Sequence, residues 1–316
     1  HQGFGLNGDR VSPFAMLSLE DNAHHQLLRS QSYSKKLEQL DVLDIEEFVS
    51  PVRTGGKLRL GYFSSDFRDH PVLHLLMGML REHDRSSFEL YGYSSGRVGE
   101  CAMREEAKGY FDVFTDINEM SDADVIKLAR GHQLDVVVNL NGYTGRPRNE
   151  IFAHRVAPVQ INYLGFPSTM GADFMDYIVA DKVIIPEEYQ QYYSEKVLYL
   201  PDVYLPNDDK REVANTNTSR SDFGLPEDGF VFCCFNTSYK ISPAEFDVWM
   251  RILGQVEGSV LWLSSSNKWA VGNLKKEAEK RGISADRIIF ASRLDKNSEH
   301  LARHKHADLF IDTFNY

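Results

Sequence analysis

Two segments of the chain place a chemically capable side chain between a predicted strand and a predicted helix. In residues 64–71, His70 precedes a helix start, where an imidazole can exchange a proton or donate a hydrogen bond. In residues 235–240, Lys240 lies beside a helix start, where an ammonium group can hold a phosphate. Taken alone, each also has a structural interpretation: a histidine that fixes a loop, and a surface lysine.

Two further loops offer neutral hydrogen-bonding groups of the kind that sugars need. Residues 139–146 combine Gly142 and Gly145 with Asn, Tyr and Thr side chains, and residues 163–171 have a similar composition. Glycine permits close approach of a ligand to the backbone. For either loop alone, an ordinary strand-to-helix turn is the simpler interpretation.

A cationic cluster lies near the end of the sequence. His300 and Arg303 are three residues apart and share one face of a predicted helix. These two side chains could together bind a nucleotide. His300 and His304 have a spacing that metal ligands use, but nothing nearby completes a ligand set. We therefore predict no metal site.

The elements that must position these residues alternate between strand and helix patterns. Apolar runs such as 136–140 are typical of strands buried on both faces, and helical patterns follow them. Repeated β–α units predict an α/β fold with parallel sheets, whose ligands bind beyond the carboxyl ends of the strands. The predicted strands are 58–63, 88–93, 111–114, 136–140, 158–163, 177–179, 230–235, 260–263, 288–290 and 308–312.

A polar, turn-rich stretch divides this pattern in two. We predict a helical segment at 1–56, an amino-terminal Rossmann-like lobe at 57–201, a linker at 202–221 and part of a second Rossmann-like lobe at 222–316. The last part holds four predicted strands and three helices, about half of a doubly wound domain. We therefore expect the second lobe to be incomplete.

Composition excludes several classes of protein. A hydrophobic content of 42% predicts a globular chain, and a net charge of −11 argues against a protein that coats nucleic acid. No apolar run is long enough for a membrane span, and the three cysteines form no disulfide framework, so we predict a cytoplasmic location.

Missing motifs narrow the choice further. The sequence has no Walker A motif and no G-x-G-x-x-G after a strand, which disfavours P-loop NTPases and dinucleotide oxidoreductases. Neutral loops in the first lobe and cationic loops in the second suit a nucleotide-sugar enzyme, with the diphosphate bound by the second lobe.

An ordered series of motifs then points to one family. They include LRLGYFSSDF at 58–67, NLNGYT at 139–144, LGFP at 164–167, YSEK at 193–196 and HADLFIDT at 306–313. Over nearly all of residues 57–316, the chain resembles the catalytic region of the protein O-GlcNAc transferases, glycosyltransferase family 41, and looks most like the bacterial members. The resemblance implies two Rossmann-like lobes in the GT-B architecture and a metal-independent, inverting reaction without a cofactor. It also implies UDP-GlcNAc as donor, Ser or Thr hydroxyls of a protein as acceptor, and a helical-repeat domain outside this chain.

The resemblance also assigns roles to individual residues. His70 falls on the active-site histidine, and Lys240 falls on the lysine that steadies the leaving diphosphate. Whether His70 or a donor phosphate oxygen takes the hydroxyl proton stays open. The remaining assignments are sugar contacts through the backbone of Leu164 and Gly165, a position beside the sugar for Tyr239, and uridine contacts for His300 and Arg303.

Some positions depart from the family pattern. The chain has Val72, Thr237 and Asn297 where the family has Thr, Gln and Lys, although Lys296 could replace the last cation. These changes leave open another donor, such as a fucose or glucose nucleotide. The chain also stops at Tyr316, before a His-Thr-Thr turn that binds the diphosphate in the family. We therefore expect a catalytic region truncated at its carboxyl end that binds donor weakly alone, or a non-catalytic nucleotide-sugar-binding fragment.

Overall fold

The computed structural model describes residues 4–6, 11–38, 45–52, 55–97, 99, 101–265 and 267–314. The chain divides into two compact units, His1–Lys210 and Arg211–Tyr316, which we call the first and the second unit. The division falls within the polar stretch 202–221. Parts of the predicted helical segment 1–56 lie outside the described residues.

The first unit is built on a seven-stranded sheet. Its strands are β1 (Leu58–Ser64), β2 (Phe88–Ser94), β3 (Val113–Asp116), β4 (Val136–Asn139), β5 (Val159–Asn162), β6 (Tyr177–Ala180) and β7 (Lys196–Tyr199). The order across the sheet is β3-β2-β1-β4-β5-β6-β7, and all neighbouring strands are parallel. Its helices are α1 (Pro13–Met16), α2 (Ala23–Glu38), α3 (Pro71–Glu82), α4 (Ala102–Lys108), α5 (Asp122–Gly131) and α6 (Glu150–Ala153).

Apolar side chains cover both faces of this sheet. On β1, Tyr62 packs into one buried cluster and its neighbour Phe63 into another. Helix α3 buries Leu73, Leu76 and Leu80 against the first of these clusters, at the spacing expected of an amphipathic helix. Both faces of the carboxyl-terminal half of β1 are therefore buried, as is typical of inner strands in a parallel sheet.

The second unit has a four-stranded parallel sheet. Its strands are β8 (Val231–Cys234), β9 (Val260–Ser264), β10 (Ile288–Ala291) and β11 (Leu309–Phe310), in the order β10-β9-β8-β11. Its helices are α7 (Pro243–Gln255), α8 (Lys268–Lys280) and α9 (Asn297–Ala302). Helix α7 begins with Pro243 in its first turn and a capping box between Ser242 and Glu245.

The predicted parallel α/β fold is confirmed in both units, although the bounds of some elements differ from the prediction. Strand β7 is not among the predicted strands, because its exposed and partly buried residues alternate at the edge of the sheet. Helix α8 starts at Lys268, where the Asn267 side chain caps it by accepting from the Ala270 N–H at 2.8 Å. No helix in the described part of the chain combines the length and the apolar character that crossing a bilayer requires.

Helix α8 contains a glycine that the fold does not use. Gly272 is exposed in the helix interior, and a Cβ added there would have no neighbour within 4 Å. Gly272→Ala is expected to raise the free energy of unfolding by about 1 kcal/mol, because alanine loses less backbone entropy on forming a helix. Urea unfolding monitored by circular dichroism measures this gain, and an unchanged or lower midpoint would contradict it.

Candidate functional site

The loops that follow β1 and β4 form one polar cluster at the carboxyl edge of the first sheet. These strands are neighbours at the point where the strand order reverses, which is where open α/β sheets bind ligands. Asn141 joins the two loops: its Oδ1 accepts from the Ser65 N–H at 2.7 Å, and its Nδ2 donates to Ser65 Oγ and to Asp66 Oδ2. The sequence prediction did not single out Asn141 or Asp66, although both lie in motifs that match the family.

The loop after β4 is fixed from within by two buried amides. Asn139 Oδ1 accepts from the N–H groups of Asn141 and Gly142, and Asn149 accepts from Asn139 and donates to the Gly142 carbonyl. Gly142 has a φ of +52°, and a Cβ there would lie 2.4 Å from Cβ of Phe166. The loops after β4 and β5 therefore fit together closely, and the glycine is required at this contact.

His70 is the N-cap of α3 and faces a buried carboxylate. Its Nδ1 accepts from the Val72 N–H at 3.3 Å, which assigns the proton of the neutral ring to Nε2. Nε2 lies 3.8 Å from Oδ1 of Asp66, whose side chain is buried. Burial lowers the pKa of His70, although Asp66 opposes this shift. The arrangement favours a neutral imidazole that donates through Nε2.

The loop after β5 starts with a tight, strained turn. The Gly165 N–H donates to the Tyr163 carbonyl at 2.9 Å, which closes a γ-turn centred on Leu164, where φ is +72°. A Cβ on Gly165 would lie 1.9 Å from the carbonyl oxygen of Leu140. The sequence predicts a glycine turn here, but the positive φ falls on the leucine. Such strain persists only where surrounding contacts enforce it.

In the second unit, the loop after β8 leads directly into α7. Ser238–Lys240 forms a 3-10 turn, in which Tyr239 is exposed and Lys240 is half-buried, and Thr237 before it is exposed. Asn236 Nδ2 donates to Asp312 and to Thr313, so this loop is joined to the residues that follow β11. Lys240 thus lies at the carboxyl edge of the second sheet, near the amino end of a 13-residue helix.

The residues predicted to contact uridine gather on and after α9, at the same edge. Arg303 is only 5% exposed; it donates to the Ser292 carbonyl at 2.8 Å, is hydrogen-bonded to His300 Nδ1, and lies 4.5 Å from the centre of the Phe235 ring. Asn297 Oδ1 accepts from Arg211 at 2.9 Å. The buried Arg303 guanidinium therefore holds the His300 ring in position through its hydrogen bond to Nδ1.

Burial, helped by the charge of Arg303, lowers the pKa of His300 to about 4. The unfolded chain, with a histidine pKa near 6.5, takes up the proton first as the pH falls, so this stabilisation is complete above pH 6.5 and lost between pH 6.5 and 4. His300→Gln is expected to flatten the fall of the second unit's melting temperature over that range. Parallel curves for the wild type and the variant, measured by calorimetry, would contradict the assignment.

The predicted site residues fall into two sets, each at the carboxyl edge of one sheet. The first unit holds His70, Leu164 and Gly165. The second unit holds Thr237, Tyr239, Lys240, Asn297, His300 and Arg303. Within the described ranges, no group of three or more His, Cys, Asp or Glu side chains is placed to bind a metal ion.

Known proteins resemble both the sequence and this structure. The sequence profile of glycosyl transferase family 41 matches residues 15–217 and 209–315. The probable UDP-N-acetylglucosamine–peptide N-acetylglucosaminyltransferase SEC of Arabidopsis thaliana is 38% identical over 83% of this chain and 27% of its own length. The UDP-N-acetylglucosamine–peptide N-acetylglucosaminyltransferase of Caenorhabditis elegans is 27% identical over 83% of this chain and 32% of its own.

Among solved structures, a mutant of the Thermobaculum terrenum O-GlcNAc transferase matches with a TM-score of 0.83 at 26% identity, covering 95% of this chain and 56% of that one. The parallel sheets with polar loops at their carboxyl edges, together with these matches, define a protein with a GT-B-like fold. The chain belongs to glycosyl transferase family 41. It spans 27% and 32% of the length of the two curated relatives named above.

Proposed function

We propose that this chain is part of the catalytic region of an inverting glycosyltransferase that moves GlcNAc from UDP-GlcNAc to Ser or Thr hydroxyls of proteins. Its relatives bear the names of UDP-N-acetylglucosamine–peptide transferases. The observation that supports this best is that every residue implied by the family lies at the carboxyl edge of its sheet. That edge is the ligand-binding edge of parallel α/β sheets.

On this proposal, the UDP part of the donor binds to the second unit. Departure of UDP builds negative charge on the β-phosphate, which the Lys240 ammonium and the amino end of α7 would stabilise. His300, held neutral by burial, offers a flat uncharged ring on which uracil can stack, and Arg303 keeps that ring in place. The neighbouring uridine and sugar contacts would come from Thr237, Tyr239 and Asn297.

The sugar and the acceptor hydroxyl would bind to the first unit, mainly residues 57–201. The backbone of Leu164 and Gly165 would contact GlcNAc, and His70 would donate a hydrogen bond through Nε2. Because the Val72 N–H occupies Nδ1, His70 has no free nitrogen lone pair in this arrangement. This supports a donor phosphate oxygen as the group that takes the hydroxyl proton, with His70 orienting the reactants.

The proposal needs no cofactor, because Lys240 and the helix end supply the positive charge at the diphosphate. We propose a cytoplasmic location, since Cys101, Cys233 and Cys234 are all free thiols in the structure. The acceptor protein would be presented by a helical-repeat domain outside this chain, as the greater length of the relatives allows.

Donor competition tests the function. The protein is titrated calorimetrically with UDP-GlcNAc, UDP-glucose and GDP-fucose, and transfer to a Ser/Thr-rich protein is followed by mass spectrometry. We expect tightest binding and detectable transfer with UDP-GlcNAc. A preference for GDP-fucose or UDP-glucose would contradict the donor assignment. Donor binding without turnover, even with the remaining chain of the longer relatives attached, would contradict the enzymatic assignment.

A further inference from the structure

A buried carboxylate without a cation lies just before β7. Glu195 is 4% exposed, and no ion pair in the described part of the chain includes it. Its oxygens accept from Thr169 Oγ1 at 2.6 Å, from the Met170 N–H at 2.6 Å and from Ser194 Oγ at 3.1 Å. Burial raises the pKa of Glu195, and these hydrogen bonds oppose the rise. A buried carboxylate is costly unless hydrogen bonds replace its lost hydration, and these three donors do so.

The contact with Thr169 connects two segments of backbone. The Thr169 hydroxyl donates to Glu195 and accepts from the N–H groups of Gly171 at 3.1 Å and Ser194 at 3.2 Å. Because both lone pairs of the hydroxyl are occupied, it makes its 2.6 Å contact with Glu195 through its proton. Glu195 thereby fixes the orientation of the hydroxyl and ties residues 169–171 to the start of β7.

The segment held in this way is the far end of the loop that begins with the γ-turn at Leu164. Other contacts fix the same end: Tyr143 donates to the Met170 carbonyl at 2.6 Å, and a Cβ on Gly171 would lie 2.4 Å from the Gln31 nitrogen of α2. The near end carries the strained φ of Leu164. The hydrogen bonds at Glu195 are thus placed to enforce a strained turn several residues away.

We propose that Glu195 is a positioning residue: by holding Thr169 and Met170, it keeps the backbone of Leu164 and Gly165 in the conformation that contacts the donor sugar. The inference rests on the proposed function, which assigns the sugar contact to those two residues. It adds a residue that neither contacts the donor nor belongs to the set predicted from sequence.

The chemistry of the three donors makes Glu195→Gln a sharp test. All three of these groups donate to the carboxylate. A glutamine of the same shape would turn one of the two acceptor oxygens into an NH₂ group, which then faces a donor and cannot accept from it. Asp181→Asn is the matched control. Asp181 is also 4% exposed and accepts from neutral groups, the N–H groups of Val183, Ile184 and Tyr204, none of which belongs to residues 163–171.

The first readout separates the sugar from the nucleotide. Glu195→Gln is expected to weaken binding of UDP-GlcNAc about tenfold, with binding of UDP changed less than about twofold, because the proposed function assigns this loop a contact with the sugar and none with the nucleotide. Asp181→Asn should change the affinities for UDP and UDP-GlcNAc by less than about twofold. We expect this even if the melting temperature of Asp181→Asn falls as much as that of Glu195→Gln. Equal weakening of UDP and UDP-GlcNAc by Glu195→Gln would overturn the proposal, because it would show a general loss of structure.

The second readout does not depend on the donor. Hydrogen–deuterium exchange of residues 163–171 should be faster in Glu195→Gln and in Thr169→Val than in the wild type, and unchanged in Asp181→Asn. Unchanged exchange of this loop in Glu195→Gln would overturn the proposal. If the wild-type protein binds no UDP-GlcNAc, the proposed function fails, and the exchange experiment still decides whether Glu195 positions the turn.

Discussion

Replacing Lys240 by alanine is expected to reduce glycosyl transfer by about 100- to 1000-fold, the usual cost of removing one group that stabilises charge in a transition state. Lys240 lies at the carboxyl edge of the second sheet, two residues before the capping residue of α7. The charge that develops on the leaving diphosphate would then be met by the helix end alone. Steady-state kinetics with UDP-GlcNAc, together with calorimetric binding of UDP, measures the effect.

The controls for this experiment separate charge from position. Lys240→Arg retains the positive charge with a different shape and should retain part of the activity. Lys276→Ala removes an exposed lysine from the surface of α8 and should leave activity unchanged. Transfer and UDP binding in Lys240→Ala within about threefold of the wild type would show that the diphosphate is not held there.

Replacing Gly165 by alanine is expected to lower the free energy of unfolding of the first unit by about 3 kcal/mol and to abolish binding of the donor sugar. The added Cβ would lie 1.9 Å from the Leu140 carbonyl oxygen and 3.0 Å from its carbonyl carbon. Both atoms belong to the backbone, so the clash cannot be relieved by turning a side chain. Denaturant unfolding and UDP-GlcNAc titration measure the two effects.

Gly131→Ala is the matched control in the same unit. Gly131 ends α5, and a Cβ there would meet nothing within 4 Å. Its replacement should not lower the free energy of unfolding by more than about 0.5 kcal/mol. If Gly165→Ala unfolds at the same denaturant concentration as this control, the close approach of the loops after β4 and β5 is wrong.

Most of the fold could be predicted, because burial of the inner strands leaves a direct trace in the sequence as runs of apolar residues. Runs such as 136–138 and 260–263 are apolar without interruption, since β4 and β9 are covered on both faces. Strand β7 could not be predicted in this way, because its side chains alternate between exposed and partly buried at the sheet edge. Edge strands lack the continuous apolar pattern that identifies inner strands.

The candidate site was predictable in part, for a different reason. Its loops follow predicted strands, and their motifs match a family, so His70 and Lys240 could be placed from sequence. The roles of Asn141 and Glu195 could not, because they depend on partners far along the chain. Asn141 contacts Ser65 across 76 residues, and Glu195 contacts Thr169 across 26. No local pattern contains such a pairing.

The strand order of the first sheet has a consequence for how the protein is made. Strand β1 pairs with β4, so Leu60 aligns with Val136 and Phe63 with Asn139. On a ribosome, β1, β2 and β3 emerge well before β4, and the growing chain at that stage has an unpaired strand edge at what becomes the middle of the sheet. Such an edge can pair with another nascent chain until β4 arrives. Slow translation between residues 116 and 136 would therefore prolong the period in which this protein depends on chaperones.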